Sequence, residues 1–86
     1  MNMQKNDIFK VLVENTKKVI GVFDDDIPKI TNETYFSNLG ASSCDRAEIV
    51  SNTLVSISLT AKLEDILIAN TIGEMVELIF KKRLST

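Results

Sequence analysis

Apolar residues in this chain of 86 residues recur at helical spacing in three separate stretches, which constrains the fold more than any other feature. In the first stretch Ile8, Val11, Leu12 and Val19 share a face that Phe9, Val13 and Ile20 widen. This predicts a helix over 4–20 that stops at Gly21. In the second, Ile49, Val50, Thr53, Leu54 and Ile57 line one face of a predicted helix over 43–57, with Cys44, Ala47, Glu48, Ser51 and Val55 towards the other side. Ser42 suits its N-cap, and Asp45, three residues on, completes an approximate capping box. In the third, Thr71-Ile72-Gly73-Glu74 reads as a capping box opening a last helix. Ile72, Met75, Val76 and Ile79 form its core stripe, and Lys81, Lys82 and Arg83 suit its negative C-terminal end. A short helix is expected over 62–69.

The remaining segments connect these. Between the first two helices runs a long connection over 22–42, where Asp24-Asp25-Asp26 and Ile27-Pro28 cannot continue a helix. Loops of this length are uncommon in a small domain unless they bury side chains of their own or serve function. Here Ile30, Tyr35, Phe36 and Leu39 are available for burial, and Asn38-Leu39-Gly40 reads as a turn. Val55 to Thr60 alternates with a period of two, as a half-buried strand does. A single short strand has no mate here, so a helix that unwinds near Ser58 is the better reading. The expected fold is one all-α domain over 1–86: a small, irregular four-helix bundle with a long first loop.

Composition narrows the function. The chain has no histidine, which removes Ser-His-Asp and Cys-His nucleophile systems and histidine-containing zinc sites. With one cysteine, Cys44, neither an internal disulfide nor a paired-cysteine metal site can form. No catalytic residue and no metal site are expected. The net charge of −2 is unevenly spread, with Asp24, Asp25, Asp26, Glu33, Asp45 and Glu48 crowding the middle of the chain. That balance disfavours nucleic acid, which needs basic clusters, and suits partners with basic docking patches. Neither an apolar leader nor a stretch of about 20 apolar residues is visible, so a cytoplasmic monomer that does not enter a membrane is expected.

The informative stretch is Leu39-Gly40-Ala41-Ser42-Ser43-Cys44-Asp45-Arg46-Ala47-Glu48-Ile49-Val50. It places the Ser43 hydroxyl at the first turn of a helix, just behind a glycine turn. Unpaired N–H groups and the helix dipole there favour an anion, so a phosphodiester on Ser43 would be stabilised. Such a serine needs no neighbouring base if it serves as a tether rather than a nucleophile. Ser is also a common helix-start residue for purely structural reasons, and Ser42 is the alternative tether.

Leu39-Gly40-x-Ser42-Ser43-Cys44-Asp45 resembles the attachment motif of acyl carrier proteins, L-G-x-[DN]-S-[LV]-D. Residues 30–40 look like that family's long first loop, and Asn70-Thr71-Ile72-Gly73-Glu74 like the start of its last helix. The resemblance spans nearly the whole chain, and it implies 4′-phosphopantetheine carried covalently on Ser43. Two positions depart from the pattern: Ser42 stands where Asp or Asn is usual, and Cys44 where Leu or Val is usual. The second helix also carries Arg46, Ser51 and Asn52, where bacterial fatty-acid carriers are more acidic. Asp45-Arg46-Ala47-Glu48-Ile49, together with 70–74, resembles the discrete donor carriers of polyketide β-branching cassettes. That likeness implies a malonyl or acetyl thioester as cargo. It also implies four partners: a phosphopantetheinyl transferase, an acyltransferase, a decarboxylating ketosynthase and a hydroxymethylglutaryl-synthase-like enzyme.

Cys44, Asp45, Arg46, Ala47, Glu48 and Ser51 form the expected partner-binding face. Cys44 is foremost a small apolar contact residue, with oxidation sensitivity as a second reading. Arg46 reads equally as a solvated charge or as a cation that excludes wrong enzymes. Two other functions fit the same residues: a general or fatty-acid-type carrier for another pathway, and an unmodified helical interaction module. A small enzyme is disfavoured.

Overall fold

The protein is described here by a computed structural model covering residues 3–21 and 29–85. Its helices are α1 (Lys5–Ile20), α2 (Ser43–Ser56), α3 (Leu63–Ile66) and α4 (Ile72–Leu84), with a 3₁₀ turn at Phe36–Leu39. The expected all-α four-helix architecture is what forms. The acidic run Asp24-Asp25-Asp26 and Ile27-Pro28 lie outside the described residues.

α1 starts where the Gln4 amide donates to the Asp7 carboxylate at 2.9 Å. It ends at Gly21, whose φ of 68° lets its N–H turn back to the Lys17 carbonyl. The buried stripe of α1 is narrower than its hydropathy implies. Ile8 and Leu12 are fully buried, while Phe9, Val11, Val13, Val19 and Ile20 are half-buried. Two polar residues, Asn15 and Thr16, complete the stripe inside the core. Thr16 Oγ1 donates to the Leu12 carbonyl at 2.7 Å, and Asn15 Nδ2 donates to Thr53 Oγ1 of α2 at 3.3 Å. α1 packs against α2 and α4, and α3 closes the ring between those two. The core between them holds Phe36, Ile49, Val50, Ile66, Ile72, Met75 and Ile79.

The structure refines four sequence expectations. The first concerns 38–40, which turns as expected and forms the end of a 3₁₀ turn. That turn is anchored by Phe36, which is fully buried, and closed by Gly40 at φ 73°. The second concerns Tyr35, which does not join Phe36 inside: it is 51% exposed, and its backbone forms an antiparallel bridge with Thr71. The third concerns the short helix, which spans Leu63–Ile66 rather than 62–69. Ile66 and Ala69 both point inward, and the chain leaves helical geometry so that the Asn70 carbonyl can accept from the Phe36 N–H at 3.0 Å.

The fourth is small: α2 ends at Ser56, with Ile57 as its C-cap. Beyond it Ser58 takes a left-handed φ of 56°. The Leu59 N–H then reaches the Leu54 carbonyl at 2.9 Å, and the Ser58 N–H reaches Val55 at 3.1 Å. These are the two bonds of a Schellman closure, and they explain the alternating pattern of 55–60: its apolar members serve a helix end.

The start of α4 is strapped to the loop. Ile72 N–H donates to the Thr34 carbonyl at 2.9 Å and Gly73 N–H to Asn32 at 2.8 Å. Glycine is needed at 73, because a Cβ there would stand 2.8 Å from the Asn32 carbonyl oxygen. Among the described residues, no helix is long and apolar enough to cross a membrane.

Candidate functional site

The site is built from the last turn before α2 and the first turn within it. Gly40 reverses the chain, and the next residue, Ala41, donates its N–H to the Phe36 carbonyl at 3.3 Å. The buried Phe36 ring thereby holds the entry strand. Ser42 follows in extended geometry, with φ −75° and ψ 174°, and caps α2. Its Oγ accepts from the Asp45 N–H at 3.1 Å, while its own N–H donates to Asp45 Oδ2 at 3.0 Å. The capping box is therefore complete in both directions. The first intrahelical bond runs from Arg46 N–H to the Ser42 carbonyl at 2.9 Å. The amides of Ser43 and Cys44 lie ahead of it, at the positive end of the helix.

The two adjacent serines are thus chemically unequal. The Ser42 hydroxyl is an acceptor inside the cap. Ser43 is exposed, and among the described residues its hydroxyl makes no hydrogen bond. Cys44 is an exposed free thiol, and Glu48 and Ser51 are exposed further along the same helix. Ala47 is half-buried. Val55, 77% exposed, extends this outward surface towards the end of α2.

Arg46 does not reach outward as these residues do. Its guanidinium Nη1 donates to the Ala69 carbonyl, just past α3, at 3.4 Å in a partly buried position. Asp65 on α3 pairs with Lys82 of α4 at 2.9 Å. That hydrogen bond, reinforced by the lysine charge, holds the Asp65 carboxyl below the usual aspartate range. The Arg46 contact and the Asn15–Thr53 pair were not foreseen from the residues; both join polar groups far apart in sequence, for which hydropathy carries no signal.

A second feature lies elsewhere. A cleft of about 510 Å³ is bounded by Lys5, Asn6 and Phe9 of α1, Asn32 of the loop, and Gly73, Glu74, Val76 and Glu77 of α4. Lys5 pairs with Glu77 at 2.8 Å beside it, and no residue of 42–51 lines it. Among the described residues no cluster of three or more His, Cys, Asp or Glu could hold a metal ion.

A small helical domain that displays one unengaged serine at a capped helix start has the anatomy of a carrier. Comparison with known proteins agrees. The chain is 34% identical over 80 residues to the polyketide biosynthesis acyl-carrier-protein AcpK of Bacillus subtilis (strain 168), an alignment covering 93% of this chain and 95% of that protein. No family model matches the chain, and no solved structure matches it. At that identity and coverage, the chain belongs to the acyl carrier protein family.

Proposed function

We propose that this chain, as one acyl carrier domain over 1–86, tethers acyl groups as thioesters on a 4′-phosphopantetheine arm at Ser43. The observation that carries the reading is the exposed Ser43 hydroxyl at the first turn of α2, which makes no hydrogen bond among the described residues. Its neighbour is disqualified by local chemistry, since modifying Ser42 would dismantle the cap that starts the helix. The surroundings fit the arm: the site is open to solvent, and the amides of Ser43 and Cys44 favour the phosphodiester's negative charge. In loading, Ser43 Oγ bonds to the β-phosphorus of coenzyme A. The pyrophosphate link breaks, 3′,5′-adenosine bisphosphate leaves, and the transferase takes the serine proton. When bound, the arm supplies a terminal thiol for the acyl group. The protein's own residues hold its root and present a recognisable face.

The pathway reading is polyketide biosynthesis, supported by the name of the Bacillus relative. Within it, the role is that of acetyl or malonyl donor for β-branching. Its partners are a phosphopantetheinyl transferase, an acyltransferase, a decarboxylating ketosynthase and a hydroxymethylglutaryl-synthase-like enzyme. Cys44, Asp45, Ala47, Glu48 and Ser51 form the face they meet, with Glu48 suited to basic docking residues. Encounters of this kind are transient and favour rate over tightness.

Incubation with a phosphopantetheinyl transferase, coenzyme A and magnesium, read by intact mass, tests the tether. Wild type gains one arm and Ser43→Ala gains none; an unmodified wild type, or a modified Ser43→Ala, overturns the assignment. The donor role is tested separately, by offering the acetylated carrier to a hydroxymethylglutaryl-synthase-like enzyme. Equal acceptance of an ordinary fatty-acid carrier overturns that role and leaves the tether standing.

A further inference from the structure

Arg46 stands one helical turn after Ser43, and its sequence context fits two outward-looking roles. The structure points inward. Its guanidinium crosses from α2 to the Ala69 carbonyl at 3.4 Å. The next carbonyl along the chain, Asn70, accepts from the Phe36 N–H at 3.0 Å, and the Phe36 carbonyl in turn accepts from Ala41 at 3.3 Å. Both segments flanking Ser43 are therefore tied to one spot, the junction of residues 69–70 between α3 and α4. The entry strand is tied through Phe36 and the first turns of α2 through Arg46. Ala69 is 2% exposed, so the junction is anchored in the core on its Ala69 side, while the Asn70 side chain is exposed.

From this we infer that Arg46 is a positioning residue: it braces the first turns of α2 against the 69–70 junction and so holds the Ser43 hydroxyl in register for transfer of the arm. The inference rests on Ser43 being the tether. The entry side of the site has backbone hydrogen bonds and a buried ring to hold it. The exit side is joined to the junction by this side chain. Loss of the brace lets the start of α2 shift by fractions of an ångström. Misplacement of a reacting atom on that scale lowers a rate steeply without abolishing binding. A cation that acted by facing partner enzymes would behave otherwise, because its effect would be screened by salt.

The test compares wild type, Ser43→Ala, Arg46→Met and Arg46→Lys as substrates of a phosphopantetheinyl transferase, at low and at roughly half-molar salt, where exposed charges are largely screened. Methionine keeps the apolar stem but removes the donor, and lysine restores a donor of shorter reach. The expected result is a roughly tenfold fall in kcat for Arg46→Met, with KM unchanged, equal at both salts, and partly recovered in Arg46→Lys. Amide exchange at Asp45 and at residue 46 should quicken in Arg46→Met, while Val76 and Ile79 stay protected. That pattern identifies a local effect in a folded protein. Should Arg46→Met fail to fold, the same exchange and rate measurements on Arg46→Lys decide. No loss of rate, or a loss confined to KM that shrinks with salt, overturns the inference. An unmodified wild type overturns the tether reading instead, so the two failures are distinct.

Discussion

Two serines side by side pose the sharpest question at the scale of single residues, and their hydrogen bonds answer it differently. Ser42 Oγ accepts from the Asp45 N–H at 3.1 Å, while Ser43 faces solvent. Ser42→Ala should therefore lower stability by about 1 kcal/mol, the usual cost of losing a cap, and still accept its arm at Ser43. Urea unfolding and peptide mapping of the loaded protein check the two halves. An arm found on Ser42 in the wild type contradicts the distinction. A second residue under local constraint is Ser58, left-handed at φ 56° in the closure of α2. Only glycine adopts that geometry without a steric cost. Ser58→Gly should raise stability by up to about 1 kcal/mol, the left-handed strain relieved less the entropy glycine adds to the unfolded chain. A urea midpoint at or below that of wild type contradicts it.

α3 shows how an element can exist without the intrinsic stability to form. A helix of four residues is far below the length that survives alone in water. Leu63–Ile66 is held by the buried Ile66 and by Asp65 on Lys82 at 2.9 Å, and the chain beyond it by Arg46 on the Ala69 carbonyl. The ion pair is partly exposed, with side chains 40% and 42% accessible, so its contribution is small, but its pH dependence has a definite sign. Asp65 is lowered by Lys82, so its contribution is complete above the ordinary aspartate range and is lost as pH falls below about 4, through its folded value. The stability gap between wild type and Lys82→Met in urea unfolding should therefore be full near neutral pH and shrink on acidification through and below the ordinary aspartate range. A gap that widens on acidification contradicts the assignment.

The same element marks where sequence reading stops. The start of α2 was legible to the residue and that of α4 to within one residue, at Ile72 rather than Thr71, because Ser42-x-x-Asp45 and Thr71-x-x-Glu74 write the cap into nearby positions. So were the faces Ile49, Val50, Thr53, Leu54 and Ile72, Met75, Val76, Ile79. The length of α3 was not, because it is decided by where Ala69 and Asn70 must sit against Phe36, a contact across more than thirty positions. The position of Ser43 at a helix start was readable locally. The direction in which the Arg46 side chain runs depended on the tertiary fold.

At the scale of the whole molecule, the ring of helices is keyed by polar groups as well as by apolar surface. Asn15 and Thr53 meet inside the α1–α2 interface, and Thr53 Oγ1 in turn donates a hydrogen bond to the Ile49 carbonyl at 2.8 Å. Both residues are buried, and among the described residues no buried side-chain polar atom lacks a partner. Removing one side of such a pair costs more than removing both, because the survivor is left desolvated. Thr53→Val should therefore destabilise the bundle by about 1–3 kcal/mol, stranding the Asn15 amide. Adding Asn15→Leu to it should cost less than the sum of the two single changes, since the paired apolar groups strand nothing. Neither change touches the capping bonds between Ser42 and Asp45 or the Arg46 contact to the Ala69 carbonyl. Below its melting transition the double variant should thus accept the arm at the wild-type rate, even though the whole bundle unfolds earlier. Urea unfolding and intact-mass time courses on the four proteins of that cycle measure both quantities. A loading rate that falls in proportion to stability, with every variant still folded, would show that the α1–α2 register and the turn carrying Ser43, the proposed tether, are one cooperative unit rather than two.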